Sequence, residues 1–406
     1  MTYRKFKADF LFTGHEMLGG SHVLVTDEAG IVEDIIPFTE AGEGVEKLTG
    51  ILSPGFINCH CHLELSHMQG LVPEKKGLVD FLLSVIKQRN FSQDIIRQAI
   101  QDAERQMLKN GIVAVGDICN TNDTIPQKNK GNLYYHSFIE TIGFPETIAA
   151  QRFKSSQEMY NQFTGQGTLP ANSCSIVPHA PYSVSNKLFE LIANNPDHKL
   201  LTIHNQESEE ENIFFETGKS DFQRLYRSLG VDISFFKPSG KRSLETYLPY
   251  FNPNQSLILV HNVSTNEEDM KSIGSRQPAA GRIASLKPEP ANLFFCLCPN
   301  ANKYISDQLP DIDLFMKHNC KIVIGTDSLA SNYQLSILEE LKTIQKNFPG
   351  IDTGILLQWA TSNGSDALQV TTTKGSFAKR KQPGIVLINN IENGRLTAKS
   401  MAERIL

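Results

Sequence analysis

Cysteine is scarce in this chain: seven residues among 406, an odd number thinly spread. That usage argues against a disulfide framework and fits a reducing compartment. No run approaches the ~18–20 uninterrupted apolar residues that a membrane span needs. The opening MTYRKFKADFLFTG starts positive but lacks the apolar stretch and small-residue cleavage site of a signal peptide. A cytoplasmic location, with no membrane partner, is the expectation. Positive charge is not in excess either: 39 Lys and Arg stand against 44 Asp and Glu, a net −5. That balance argues against a broad basic surface for nucleic acid. Gly-x-Gly-x-x-Gly and Walker-type loops are missing after the early apolar runs, which argues against nucleotide binding of those kinds. Long charged, apolar-poor tracts are missing too, so most of the chain is expected to fold.

What is present is a recurrence of short apolar runs. Candidate strands lie in ILSPGFINCH (51–60), GIVAVGDIC (111–119), NLYYHSFIETIG (132–143), SCSIVPHA (173–180), KLLTIHNQE (199–207), SLILVHNV (256–263), NLFFCLCP (292–299) and KIVIGTDS (321–328). Unbroken Val, Ile, Leu and Phe runs are how strands buried on both faces read. Amphipathic stretches lie between them, such as 92–111 and 336–348, the first ending at Asn110-Gly111. Alternation of this kind predicts an α/β protein with a (β/α)8 TIM barrel, an open doubly wound sheet being the alternative. The ends differ: residues 1–52 carry short strand-like runs, and GIVLINNI (384–391) returns to that character. Both termini, 1–52 and 376–406, are therefore expected to form one small β-sandwich domain, with residues 53–375 as the barrel. Residues 231–255 show aromatics without a period and stand as an insertion or lid.

In a strand, residues i and i+2 face the same way. His60 and His62 therefore share a face at the end of the first barrel strand, while Cys59 and Cys61 turn toward the helices as packing residues. A lone His-x-His is commonly only a surface pair. Yet His179, His204 and His261 follow later apolar runs, and Asp327 follows IVIGT. A parallel barrel brings all strand C-termini to one mouth, where active sites are built. Imidazoles and a carboxylate gathered there suit one divalent cation, zinc first. Glu207, three residues after His204, can be turned back to that mouth as a proton shuttle. Glu209, Glu210 and Glu211 read as the solvent-facing first turn of the next helix.

SPGFINCHCH, LLTIHNQE, LILVHN and IGTDSLASN resemble segments of the amidohydrolase superfamily, in the order of its mononuclear deaminase branch. PHAPYSVS (178–185) is similar to the segment of adenine-nucleoside deaminases, including those acting on S-adenosylhomocysteine. HLELS, HNQESEEE and CPNANKYISDQLPDIDLF look closest to aminodeoxyfutalosine deaminases of an alternative route to menaquinone. The resemblance spans nearly the whole chain. It implies that His60, His62, His204 and Asp327 bind one divalent ion, zinc, with iron or nickel also compatible. It implies that hydroxide attacks C6 of a purine while Glu207 protonates N1. His261 would hold the tetrahedral intermediate, and Asp327 would pass the water proton to leaving ammonia. His179 would contact the purine nucleoside substrate; Glu64 would reach it from the first loop or serve structure. The fourth strand ends in Pro178-His179 where two-metal relatives often place a carboxylated lysine, so one metal is expected. Residues GSFAKRKQPGIVLINN follow the usual return to the β domain only in part. Homodimers are common in the superfamily, though no interface is legible here. The rival readings are another C–N hydrolase on the same site (S-adenosylhomocysteine/methylthioadenosine, guanine or cytosine deaminase, or cyclic amidase) and a non-catalytic scaffold.

Overall fold

A computed structural model of the chain describes residues 2–165, 173–195, 199–274 and 292–406. Eight parallel strands form the larger body: β1 Phe56–Cys61, β2 Ile112–Cys119, β3 Tyr134–Thr141, β4 Cys174–Pro178, β5 Leu200–Asn205, β6 Ser256–His261, β7 Leu293–Leu297 and β8 Lys321–Ile324. Every residue of β1, β2, β4, β5 and β7 is buried, which is why these segments read as unbroken apolar runs. The strands pair in two four-stranded halves, ordered β4-β3-β2-β1 and β5-β6-β7-β8.

Backbone hydrogen bonds join the halves at both seams. At one, the His204 amide donates to the His179 carbonyl at 2.9 Å. At the other, the Thr326 and Asp327 amides both donate to the His60 carbonyl at 3.0 Å, and Cys61 bridges Asp327 in the parallel sense. The expected barrel is thus the architecture observed, and the seams close at the mouth where the histidines sit. Helices cover the outside with apolar stripes. In Gln93–Lys109 the buried Ile96, Ile100, Ala103 and Met107 recur at helical spacing.

Strands from both ends of the chain make two further sheets. One has the order Val32–Pro37, His22–Asp27, Tyr3–Lys7, Val45–Lys47; the other runs Met401–Arg404, Ile385–Asn389, Ile51–Pro54, Phe10–Phe12, Met17–Gly19. Phe6, Leu11, Leu24, Leu52, Phe377 and Ile385 pack a shared core between them. The chain passes from this layer into β1 at Gly55. A Cβ there would lie 2.3 Å from a Val113 methyl and 2.7 Å from the Pro383 carbonyl, so only glycine fits. Residues 231–255 hold one short helix, Ser243–Tyr247, and one 3-10 turn, Leu248–Tyr250. Among the described residues, no helix is long and apolar enough to cross a membrane.

One buried ion pair was not legible in the sequence. Lys128 Nζ lies 2.6 Å from Asp117 Oδ2, and both side chains are fully buried. The other carboxylate oxygen accepts from the Leu63 amide at 2.8 Å, one residue beyond His62. The pair therefore pins the loop that leaves β1. Replacing Lys128 by Met strands the carboxylate and is expected to cost about 3–5 kcal/mol, read by denaturant unfolding. A loss within experimental error would show that Asp117 finds other compensation.

Candidate active site

At the mouth, β1 presents His60 and is followed by His62, β5 presents His204, β6 ends on His261, and Asp327 follows β8. Three backbone turns aim these groups. Gln206, His261 and Asp327 take φ values of 47°, 75° and 57°, a region non-glycine residues seldom occupy. Strain of this kind gathers where a site dictates backbone direction. Gly325 just before the last turn allows the close approach: a Cβ there would be 2.8 Å from His60 Cβ and 2.9 Å from Cys296 Sγ.

The rings converge tightly. His60 lies 4.9 Å from both His62 and His204 between ring centroids, and 5.8 Å from His261. His62 Nε2 and His204 Nε2 are 3.3 Å apart. Asp327 Oδ1 is 3.5 Å from Nε2 of His60 and 3.5 Å from Nε2 of His62. The nitrogens of His60, His62 and His204 lie close enough together to share an ion. Both ring nitrogens of His60 are buried without a hydrogen-bond partner among the described residues. A buried imidazole left so is costly unless something else takes its lone pair. Burial pushes His60, His62 and His261 well below the ordinary imidazole range, so they stand neutral, the form that ligates a cation. Burial pushes the Asp327 carboxyl up, but His62, His261 and the Ser331 hydroxyl outweigh it and hold it ionised. This donor set fits a divalent cation.

Surrounding groups fix the tautomers. His204 Nδ1 donates to the His179 carbonyl at 2.8 Å, leaving Nε2 bare toward the cluster. Glu140 Oε1 stands 3.5 Å behind the same Nδ1, while Asn120 donates to its other oxygen at 2.9 Å. Asn302, in its assigned amide orientation, donates to His261 Nδ1 at 3.0 Å, so Nε2 of His261 carries the proton. Ser331 donates to Asp327 Oδ2 at 2.5 Å. His179 Nδ1 donates to Ser183 Oγ at 2.6 Å, because the serine hydroxyl itself donates to the Ala180 carbonyl. Burial lowers His179 to about 4.

Glu207 is buried, with Oε1 3.7 Å from His261 Nε2. Burial, then the neighbouring Asp327 and Glu211 carboxyls, push it well above the usual carboxyl range. Glu64 also lies at the mouth and is buried, but its Oε2 already accepts from the Asn120 and Thr121 amides at 3.0 and 2.8 Å. Its Oε1 meets Arg89 at 3.5 Å.

One expectation fails. Glu211 does not face solvent: it is fully buried, accepting from the Gln206 amide at 3.0 Å and from the Ser243 hydroxyl. It holds the left-handed turn that presents Glu207, a role set by residues far along the chain. Glu140, Asn302, Ser331 and Glu211 were not singled out from sequence. Glu140 could have been, since it ends β3 as the histidines end theirs.

Converging imidazoles and one carboxylate at the mouth of a parallel barrel form a site that could hold a metal ion. The chain belongs to the amidohydrolase family, whose model matches residues 51–400, and so to hydrolases of carbon–nitrogen bonds. It is 26% identical over 339 residues to an adenosine deaminase of Helicobacter pylori, covering 81% of this chain and 77% of that protein. Against an aminodeoxyfutalosine deaminase of Nitratiruptor the figures are 25% over 325 residues, 78% and 74%. In fold it resembles the crystal structure of Helicobacter pylori aminofutalosine deaminase in complex with methylthio-coformycin (TM-score 0.79, 21% identity, 99% of this chain and 100% of that one). An adenosine deaminase from Xanthomonas campestris with bound zinc also matches, at a TM-score of 0.69 and 19% identity over 95% of this chain and 84% of that one.

Proposed function

We propose that the chain is a metal-dependent hydrolytic deaminase that converts the 6-amino group of an adenine nucleoside to a 6-oxo group and releases ammonia. The observation that carries this reading is the buried Glu207 carboxyl, standing 3.7 Å from His261 at the edge of the His60, His62 and His204 cluster. Adding water to C6 of adenine needs an acid for N1 and a base for the water, and this mouth offers both. The similarity to adenosine and aminodeoxyfutalosine deaminases supports the substrate class, with aminodeoxyfutalosine itself the first substrate to try.

His60, His62, His204 and Asp327 would hold the cation, with zinc the best match to three imidazoles and a carboxylate. When bound, such a cation supplies water acidified toward neutral pH. Glu207 protonates N1 and keeps charge off the ring. His261, a donor at Nε2, hydrogen-bonds the oxygen added at C6. Asp327 takes the water proton and gives it to the departing amino group, and Glu207 recovers a proton from the hydroxyl at C6 as it becomes the 6-oxo group. His179 offers its free Nε2 to the purine or sugar. Glu64 shapes the entrance through Asn120, Thr121 and Arg89. The catalytic unit is residues 53–375, and 1–52 with 376–406 form the small domain.

The test is ammonia release by the zinc-loaded chain against aminodeoxyfutalosine, adenosine, methylthioadenosine and S-adenosylhomocysteine. Turnover of one member is expected and names the substrate. Silence across the panel from a metal-replete protein would overturn the adenine assignment and leave other rings and cyclic amides.

A further inference from the structure

We propose that the chain carries a second binding site, for a planar aromatic small molecule, in a cavity outside the histidine cluster. The cavity has a volume of about 540 Å³, inside the ~300–1,000 Å³ range of small-molecule pockets. Its walls come from four places: the loop after β3 (Phe144–Thr147), the segment after β4 with the helix it enters (Pro181–Phe189), Phe215 of the helix after β5, and the 231–255 region that shows no period in sequence. None of the histidines of the mouth, nor Glu207 or Asp327, lines it.

The segment after β4 is the partition. Ser183 faces the mouth and accepts from His179 at 2.6 Å, whereas Pro181, Val184 and Ser185 line the cavity. The partition is anchored on its far side by Gly143, which donates to the Ser183 carbonyl and accepts from the Ser185 amide, both at 2.9 Å. A ligand in the cavity therefore rests on the segment that carries His179 without reaching the reacting groups.

The lining sets the ligand class. Seven aromatic side chains face the cavity, among them Phe144, Phe215, Phe236 and Tyr250. Flat rings favour offset or edge-on stacking on such walls over flexible aliphatic chains, which stack on nothing. Phe235, another wall, is left 46% exposed, an apolar face that a ligand would cover. Asn186, Thr246 and Lys237 supply a few polar atoms at the edge, enough to orient one hydrogen-bonding or anionic substituent.

The probe is 1-anilinonaphthalene-8-sulfonate, titrated by fluorescence into the full metal-loaded chain. One saturable site per chain is expected. Asn186→Trp and Thr246→Trp place an indole in the cavity and are each expected to weaken the probe about tenfold or more, a change of ~1.4 kcal/mol. Asn186 is exposed at the start of its helix, so that variant folds even where the other does not. Saturating adenosine is expected to leave the number of probe sites unchanged. Equal probe affinity in the original chain and a folded Trp variant would overturn the proposal. So would competitive displacement by adenosine, which would make the cavity part of the substrate pocket. The Trp arm reads the site whether or not the chain binds adenine nucleosides, so its failure is separable from failure of the deaminase reading.

Discussion

The Glu207→Gln chain is expected to keep its fold and its metal while losing at least ~10²-fold in kcat, the usual scale for general acid–base work. The amide has the shape of the protonated carboxyl, so the packing against His261 survives. It has no acid proton to give. The surroundings of Glu207 favour its acid form, because burial and the nearby Asp327 and Glu211 carboxyls push its pKa well above the usual carboxyl range. The loss should appear in kcat rather than KM, because a glutamine N–H can still hydrogen-bond N1 of a bound purine. Ammonia release and metal content measured on the same preparation check it. Near-normal turnover with metal bound would remove Glu207 from the proton path and leave Asp327 or His261 to serve both ends of the reaction.

The barrel and the positions of its chemistry could be read from sequence because both rest on local rules. Buried parallel strands are written as apolar runs, and a strand followed at once by His or Asp places that residue at the mouth. His179 directly follows its strand, His204 and His261 lie in the last two residues of theirs, and Asp327 comes three residues after Ile324. What could not be read depends on contacts between distant residues. Glu211 looks like one more acidic residue of a first helical turn until Ser243 and Gln206 are seen to bury it. Asp117 and Lys128 look like ordinary charges until β2 and the helix after it enclose both. The left-handed backbone at His261 and Asp327 has no sequence mark either, since neither residue is glycine. At Asp327 it accompanies the seam hydrogen bonds to His60 and the crowding around Gly325, contacts between residues far apart in the chain.

The His60→Ala/His62→Ala chain is expected to lose stoichiometric metal after dialysis and, with it, all turnover above background. Two of four donors go, and His204 with Asp327 cannot by themselves satisfy a tetrahedral cation. The same substitutions also remove buried rings, so a lower melting temperature alone would say nothing about ligation. Comparison with and without zinc separates the two effects. The difference between the metal-free chains reports lost packing. The further rise on adding zinc reports binding, ~2.7 kcal/mol for a site at a free metal concentration 100 times its Kd. The original chain is expected to show that rise and the double variant to show none, since both orphaned nitrogens of His60 are gone. Full metal occupancy in the double variant would place the ion elsewhere, with the Glu140, His179 and His204 group as the next set to test.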